Sequence, residues 1–293
     1  MLIMNETQAA EKIILDKTVG KNKPMQDINL LARYYLTYPN ENGKFPTKKE
    51  LTATLQEYLK GQYDDYQSVK WQELIEKAIK RAKTSPIIDL EYIPVTQKEL
   101  DVIKNIGNKK LEKLAFTCLV VAKYYNLRSP SNNGYVNLDY SSLFKLARVT
   151  ATTYEQPLLL NDLKQKGLVQ RCKKVDNPNF RVLFIDDSSD IVLKIDDLRE
   201  LGYTYLEYLG EPFIRCAGCG VLMRKKVNNM KYCKDCRGQT MGTKVITCCD
   251  CGKQFAVSSK DTKTIRCDDC QHKTRLVQYS VYNSKRNKIN VNE

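Results

Sequence analysis

The sequence predicts a mainly α fold of the α+β type that ends in two small cysteine modules. Apolar residues recur at helical spacing through the first two thirds of the chain, and short alternating segments between them are typical of strands. Eight of the 11 cysteines, all after residue 215, form four pairs of C-x-x-C spacing. A hydrophobic content of 42% is enough for compact cores ahead of these modules.

Residues 1–86 are predicted to form a helical domain. Its predicted helices cover residues 1–20, 25–38, 47–61 and 65–83. Thr47 and Glu50 have the spacing of a capping box, which marks the start of a helix. We expect the last helix to bury Val69, Leu74, Ile75, Ala78 and Ile79. Trp71, the only tryptophan, is interpreted as a packing residue of the same helix.

Residues 95–190 are predicted to form a second domain, which begins with another capping box at Thr96 and Glu99. Its predicted elements are a long helix at 109–127, a short strand at 135–138, helices at 139–148 and 153–167, and strands at 168–175 and 180–185. This order of elements resembles a winged helix-turn-helix domain over about residues 108–187.

The resemblance implies that the helix from Tyr154 to Lys166 enters the major groove of DNA. The candidate contacts are Lys164 on that helix and Lys173 and Lys174 on the wing. Glu155 and Asp162 lie on the same helix and would repel phosphate. Because winged helices also serve as protein-docking modules, a protein partner is the alternative for this domain.

Residues 191–212 are predicted to connect the winged-helix-like domain to the cysteine modules. Ile191–Ile195 has the pattern of one more strand, and Asp196–Leu209 that of a helix with Leu198 and Leu201 facing inward. We expect this segment to act as a strut.

The cysteine pairs define module 1 over residues 213–240 and module 2 over residues 244–293. The predicted ligands are Cys216, Cys219, Cys233 and Cys236 in module 1, and Cys248, Cys251, Cys267 and Cys270 in module 2. Because four thiolates suit one tetrahedral Zn²⁺, the spacing predicts two zinc ions. Gly220 and Gly252 follow the leading pairs, where a residue free to take positive φ lets backbone N–H groups face sulfur.

Two alternatives to sequential zinc sites use the same cysteines. An interleaved arrangement would share ligands between the modules, but each module is complete in itself. A disulfide framework needs an oxidising compartment, and the opening residues lack the basic and apolar parts of a secretory leader. We therefore expect a cytoplasmic protein with reduced thiols and no membrane segment.

Positive charge is concentrated on the cysteine modules. Residues 212–293 contain 17 lysines and arginines against 6 acidic residues, whereas the preceding residues contain 31 against 28. Such a surface suits a polyanion. The candidate nucleic-acid contacts are Arg224, Lys225, Lys226, Lys253, Lys273, Arg275, Lys285 and Arg286. We expect hairpins at Val221–Met230 and Lys253–Ile265, between the cysteine pairs, and a helix at His272–Tyr282.

The cysteine region over about residues 214–288 resembles the zinc-ribbon and treble-clef modules of DNA- and RNA-handling proteins, and its Tyr-Cys-x-Asp-Cys turn at residues 232–236 is followed by a basic tail. The same features resemble the ends of uncharacterised phage or mobile-element proteins of Gram-positive bacteria. Some treble-clef proteins are nucleases that need a histidine base with metal-binding histidine or asparagine partners, and the single histidine of this chain, His272, cannot supply that set. Since the chain also lacks a Gly-rich phosphate loop and a G-x-S-x-G elbow, we expect no enzyme activity.

These features predict a zinc-containing protein that binds nucleic acid, DNA rather than RNA, in the regulation or replication of a phage or mobile element. The alternative function is an adaptor that uses the winged helix and the zinc modules to grip a polymerase subunit or a host defence factor. The sequence leaves the oligomeric state and the target sequence open.

Overall fold

The computed structural model describes residues 2–16, 24–40, 42–62, 68–172, 179–240, 243–258 and 262–289. It is a mixed α+β structure with several small sheets, and the chain divides into two compact units, residues 1–211 and 212–293. None of the helices in these ranges is both long and apolar enough to cross a membrane.

The helices of the first unit are α1 (Glu6–Asp16), α2 (Pro24–Thr37), α3 (Lys48–Gln62), α4 (Ser68–Ala82), α5 (Gln97–Lys104), α6 (Lys109–Arg128), α7 (Tyr140–Leu146), α8 (Glu155–Gln165) and α9 (Leu201–Tyr208). Its strands are β1 (Ile93–Thr96), β2 (Tyr135–Val136), β3 (Val169–Arg171), β4 (Phe180–Val182) and β5 (Ile191–Ile195). The second unit contains β6 (Phe213–Arg215), β7 (Leu222–Arg224), α10 (Lys234–Thr240), β8 (Thr243–Thr247), β9 (Gln254–Ser258) and α11 (Asp268–Ile289).

Helices α1 to α4 share one apolar core. Its fully buried side chains include Ile28, Leu31, Leu51, Leu55, Leu59 and Ile75. The predicted capping box at the start of α3 is confirmed, because the Thr47 backbone N–H donates to Glu50 at 2.7 Å and the Glu50 N–H donates to the Thr47 hydroxyl at 3.3 Å. Trp71 is partly buried against this core, as predicted.

The prediction that Val69 is buried is wrong, because its side chain is 86% exposed. Val69 stands about two and a half turns before Ala78, so the two side chains lie on opposite sides of α4. Ala78 and Ile79 belong to the core, and Leu74, also predicted to be buried, is only half-buried.

The buried carboxylate of Glu6 ties the first helices to α6. It accepts two hydrogen bonds of 2.7 Å from the Arg33 guanidinium of α2 and forms an ion pair of 2.8 Å with Arg128 of α6. It also accepts a hydrogen bond from the backbone N–H of Ile88. These partners compensate the cost of burying its charge.

Helix α6 is the centre of the remainder of the first unit. Most of its side chains are buried, including Cys118, whose complete burial raises the pKa of its thiol. Strands β2, β4 and β3 pair in that order into one antiparallel sheet, which contacts α6. Asp139 caps α7, and the predicted capping box of Thr96 and Glu99 is present at the start of α5.

Strand β5 does not act as a strut, because it pairs along its length with β1. The partner pairs include Ile93 with Ile195 and Val95 with Leu193. Helix α9 packs on α6, where the buried Tyr205 hydroxyl donates to Glu112 at 3.0 Å. The segment therefore completes the first unit.

Helix α9 also begins later than predicted, at Leu201 instead of Asp196. The Asp197 carboxylate accepts hydrogen bonds from the backbone N–H and the guanidinium of Arg199, two residues on. This local bonding competes with helix formation and holds the preceding residues in a turn.

Candidate metal centres

In module 1 the leading cysteine pair forms the turn of a hairpin. Strand β6 ends at Arg215, Cys216 and Cys219 follow, and β7 begins at Leu222 and pairs antiparallel with β6. The predicted position of the hairpin, after the pair, is therefore wrong. Strand β7 pairs instead with the strand that precedes the cysteines, and residues 225–233 contain no strand.

Module 2 repeats this arrangement. Strands β8 and β9 pair on either side of Cys248 and Cys251, so the hairpin predicted at 253–265 is also displaced. Each hairpin turn closes through equivalent backbone bonds. The Cys216 N–H donates to the Val221 carbonyl at 2.9 Å, and the Cys248 N–H donates to the Lys253 carbonyl at 2.9 Å.

The trailing cysteine pairs stand at the starts of two helices. Cys233 immediately precedes α10 and Cys236 lies in its first turn; Cys267 and Cys270 have the same positions in α11. A helix start carries a partial positive charge, which favours thiolates. Helix α11 extends from Asp268 to Ile289 and is longer at both ends than predicted.

The structure brings the eight predicted ligands into two sequential groups. One group is Cys216, Cys219, Cys233 and Cys236, the other Cys248, Cys251, Cys267 and Cys270, and within each group the ligand atoms lie within 4.8 Å of one another. The Sγ atoms of Cys219 and Cys233 are 3.8 Å apart. A tetrahedral Zn²⁺ with Zn–S bonds of about 2.3 Å holds its sulfurs at about this distance. The groups are consistent with two zinc ions.

Backbone N–H groups prepare one thiolate in each group. The N–H of Cys233 donates to Cys216 Sγ at 3.2 Å and, with the N–H groups of Cys219 and Gly218, lowers the pKa of Cys216 to about 6. The N–H of Cys267 and two further N–H groups lower the pKa of Cys248 to about 6. Zinc binds the thiolate, so these two sulfurs are prepared to coordinate a metal.

The fourth sulfur of each group has the opposite tendency. Hydrogen bonds to the neighbouring thiols raise the pKa of Cys236 to about 12, and the same kind of bonds raise the pKa of Cys270. These sulfurs share protons with the other ligands of their group. A divalent cation at the centre replaces those protons, which is the chemistry expected of a closed structural site.

The glycine after each leading pair has the conformation that the sequence predicts. The φ angles of Gly220 and Gly252 are 71° and 72°, in the left-handed region. Each N–H donates to the carbonyl of the first cysteine, Cys216 at 2.8 Å and Cys248 at 3.0 Å. The positive φ therefore closes both turns around the sulfurs.

The remaining thiols and the single histidine lie outside these two groups. Cys249 is exposed, and its thiol donates to Asp250 at 3.2 Å, which raises the thiol pKa. His272 is exposed on α11. Neither residue belongs to the two groups of ligand atoms.

The candidate nucleic-acid contacts that the structure describes are exposed. They are Lys164 on α8, Arg224, Lys225 and Lys226 in module 1, and Lys253, Lys273 and Arg275 in module 2. Lys173 and Lys174 lie outside the described residues. Lys285 and Arg286 lie on α11, but the description of side chains ends before them.

Four further exposed cations of module 1 were not singled out from the sequence. They are Arg215, Lys231, Lys234 and Arg237. The net charge included them, and three of them are sequence neighbours of predicted ligands, a signal that would have identified them. Arg215 precedes Cys216 on β6, and Lys234 follows Cys233 on α10.

The acidic pair Asp186 and Asp187 has a structural role. Asp186 accepts hydrogen bonds from Ser188 and Ser189, which lower its pKa. Asp187 forms an ion pair of 3.0 Å with the buried Lys123. These partners account for both carboxylates.

Comparison with protein-family models, with curated proteins and with solved structures found no match to this chain.

Proposed function

We propose that the chain is a zinc-containing protein that binds nucleic acid, DNA in preference to RNA, through the basic surface of its metal modules. The observation that carries this proposal is the distribution of charge in module 1. Seven lysines and arginines between residues 213 and 240 are exposed, against one exposed acidic residue, Asp235. Such a surface attracts phosphate.

The frame of module 1 supports a phosphate-binding role for Arg224. Its guanidinium lies 5.8 Å from the ring centroid of Phe213, its partner across the hairpin. This contact orients a side chain that would otherwise lose rotamer freedom on binding. Lys225 and Lys226 follow directly, so three adjacent cations extend from the strand.

Zinc supplies the rigidity of this surface. Besides the cysteines, the buried side chains of the described part of the second unit are only Leu222 and Met223. Since so small a core contributes little stability, the four thiolates of each module would hold the metal that keeps hairpin and helix together.

The first unit is proposed to contribute a winged helix that reads DNA sequence. The order of α6, β2, α7, α8, β3 and β4, with its three-stranded sheet, supports this assignment. Glu155 opposes this role, because hydrogen bonds from Thr152 lower the pKa of its carboxyl and keep it negatively charged beside any phosphate. Tyr154, 79% exposed, and Lys164 remain available on α8.

The salt dependence of binding tests the phosphate contacts. We expect affinity for duplex DNA to fall steeply with salt, because each neutralised phosphate contributes about 0.9 to the slope of log K against log salt. Reversing Arg224, Lys225 and Lys226 to glutamate should reduce the slope by roughly two to three. Fluorescence anisotropy of a labelled duplex at several salt concentrations measures both slopes.

A matched control reverses Lys60 and Lys80, two exposed lysines of the helical domain. This variant should bind almost as the unchanged chain does. A flat salt response of the unchanged, zinc-loaded chain would contradict the proposal, and so would equal effects of the two sets of reversals.

An adaptor function is the second candidate, and the surface of module 2 favours it. This module exposes apolar side chains, which are Val245, Ile265, Leu276, Val277 and Tyr279, each at least 54% accessible. Pull-down after nuclease treatment separates the two functions, because an adaptor keeps its protein partner and a bridge of nucleic acid loses it. In either case the proposed setting, a phage or mobile element, rests on the resemblance of the tail alone.

A further inference from the structure

The loop at residues 42–49, named here the Phe45 loop, presents an aromatic side chain between lysines. Phe45 is 58% exposed. All seven phenylalanines lie within the described residues, and the other six are buried or half-buried. Lys44, Lys48 and Lys49 are exposed around it, and residues 42–49 contain no acidic side chain.

Hydrogen bonds of Asn40 fix the turn that leads into Phe45. The Asn40 carboxamide oxygen accepts from the backbone N–H of Asn42 at 3.1 Å and from that of Lys44 at 2.9 Å. The Asn40 N–H donates to the Lys44 carbonyl at 2.9 Å, and Gly43 supplies the positive φ of 71° that the turn requires. Little conformational entropy is therefore lost when this loop contacts a partner.

Helix stability does not account for the lysines. Lys48 and Lys49 are the first two residues of α3, where the helix dipole disfavours positive charge. The capping box already engages the backbone N–H groups of Thr47 and Glu50 at this helix start. The groups of this segment that can contact a ligand are therefore the side chains of Phe45 and the lysines, and not the N-terminus of helix α3.

Resting on the proposed function, we propose that the Phe45 loop is a second contact for nucleic acid, which stacks Phe45 on an unpaired base while its lysines pair with the adjacent phosphates. An exposed aromatic ring flanked by cations is the combination that binds single strands without sequence preference. A single strand meets both requirements, because its bases expose their faces and its phosphates lie on either side.

The test uses the full, zinc-loaded chain and a labelled thymidine oligonucleotide. We expect Phe45→Ala to weaken binding by about fivefold or more, and Phe45→Trp to retain it, because both aromatic rings stack on a base. Affinity for a blunt duplex of equal length should change by less than about twofold, because its bases are already stacked. Val69→Ala, at another exposed apolar position, is the matched control and should bind normally.

Three results would overturn this proposal. Phe45→Ala binds the oligonucleotide as tightly as the unchanged chain; it loses affinity for duplex and single strand equally; or it loses only binding to phosphatidylserine vesicles, which assigns the loop to a membrane surface. The reversal of Arg224, Lys225 and Lys226 is measured in parallel. If that variant loses binding while Phe45→Ala does not, the Phe45 loop proposal fails and the proposed function stands; if neither does, both fail.

Discussion

The two metal modules share one backbone frame. In both modules, the backbone N–H of the residue after the first cysteine donates to the carbonyl of the residue two positions before the third cysteine. These bonds join Ala217 to Lys231 at 2.9 Å and Cys249 to Ile265 at 3.0 Å. In both modules, the carbonyl of the third cysteine accepts a hydrogen bond from the backbone N–H of the residue after the fourth cysteine, which is Arg237 in module 1 and Gln271 in module 2. The requirements of four sulfurs around one cation fix this frame.

Their surfaces differ where the metal imposes no requirement. The third position of the leading pair is Gly218 in module 1 and Asp250 in module 2, and Asp250 forms an ion pair of 2.7 Å with Arg266. Among charged side chains, module 1 exposes seven cations and one acidic residue, whereas module 2 combines cations with Asp268 and Asp269 and exposes more apolar residues. In the proposed function, phosphate binding belongs to module 1 for this reason.

Replacing one ligand in each module tests most directly whether the two frames are independent. We expect Cys216→Ser and Cys248→Ser each to lower the zinc content from two ions per chain to one, because each of the two groups contains its own four thiols. A structural Zn²⁺ site contributes about 10–16 kcal/mol of apparent binding free energy, so the affected module should unfold. Elemental analysis measures the content. Loss of both zinc ions from a single substitution would show that the two metal sites are not independent.

Gly218 of module 1 should be more sensitive to substitution than Asp250, which has the same position in module 2. A Cβ at Gly218 would lie 3.0 Å from Cys236 Sγ and 3.1 Å from Cys236 Cβ. Because the fourth ligand would have to shift, we expect Gly218→Ala to weaken zinc binding in module 1 by about tenfold. Competition with a chromophoric chelator measures this change. An unchanged affinity would show that the helix α10 accommodates the methyl group.

Reversal of module 2 lysines should affect nucleic-acid binding less than the reversal in module 1. Lys253, Lys263 and Lys273 are exposed, but the same module carries three exposed acidic residues, Asp250, Asp268 and Asp269. We expect glutamate at these three positions to reduce the salt slope by about one or less. Anisotropy under the conditions used for module 1 gives the comparison. An equal reduction would mean that both modules contact phosphate.

The ion pair between Asp250 and Arg266 should contribute least to the zinc affinity of module 2. Asp250 and Arg266 are 38% and 36% exposed, and ion pairs at such exposure contribute little because water and salt screen them. Asp250→Ala should therefore change the zinc affinity of module 2 by less than about fivefold. The same chelator competition measures it, with Arg266→Ala and the double variant completing a mutant cycle. A larger coupling would show that the pair supports the metal site.

Sequence reasoning predicted the features that depend on short spacing. The capping boxes at Thr47 and Thr96, the positive φ of Gly220 and the grouping of the cysteines all follow from residues a few positions apart, where local chemistry decides the geometry.

Features that depend on distant partners were predicted less well. Alternation identified strands in the modules, but it does not say which strand pairs with which, so the hairpins were placed on the wrong side of Cys219 and Cys251. Val69 was assigned to the core because a helical repeat gives a period but not the direction of the neighbouring helices. The Phe45 loop has no periodicity, so its exposure becomes visible only in three dimensions.

The pairing of β1 with β5 imposes an order on biosynthesis. Residues 93–96 leave the ribosome long before residues 191–195, so β1 has no partner strand while the residues between them are synthesised. Closing so long a segment has an entropic penalty that rises only slowly with length. A nascent chain halted before Ile191 would leave Ile93 and Val95 on an unpaired strand edge. A chaperone would therefore be needed most while residues 97–190 are synthesised.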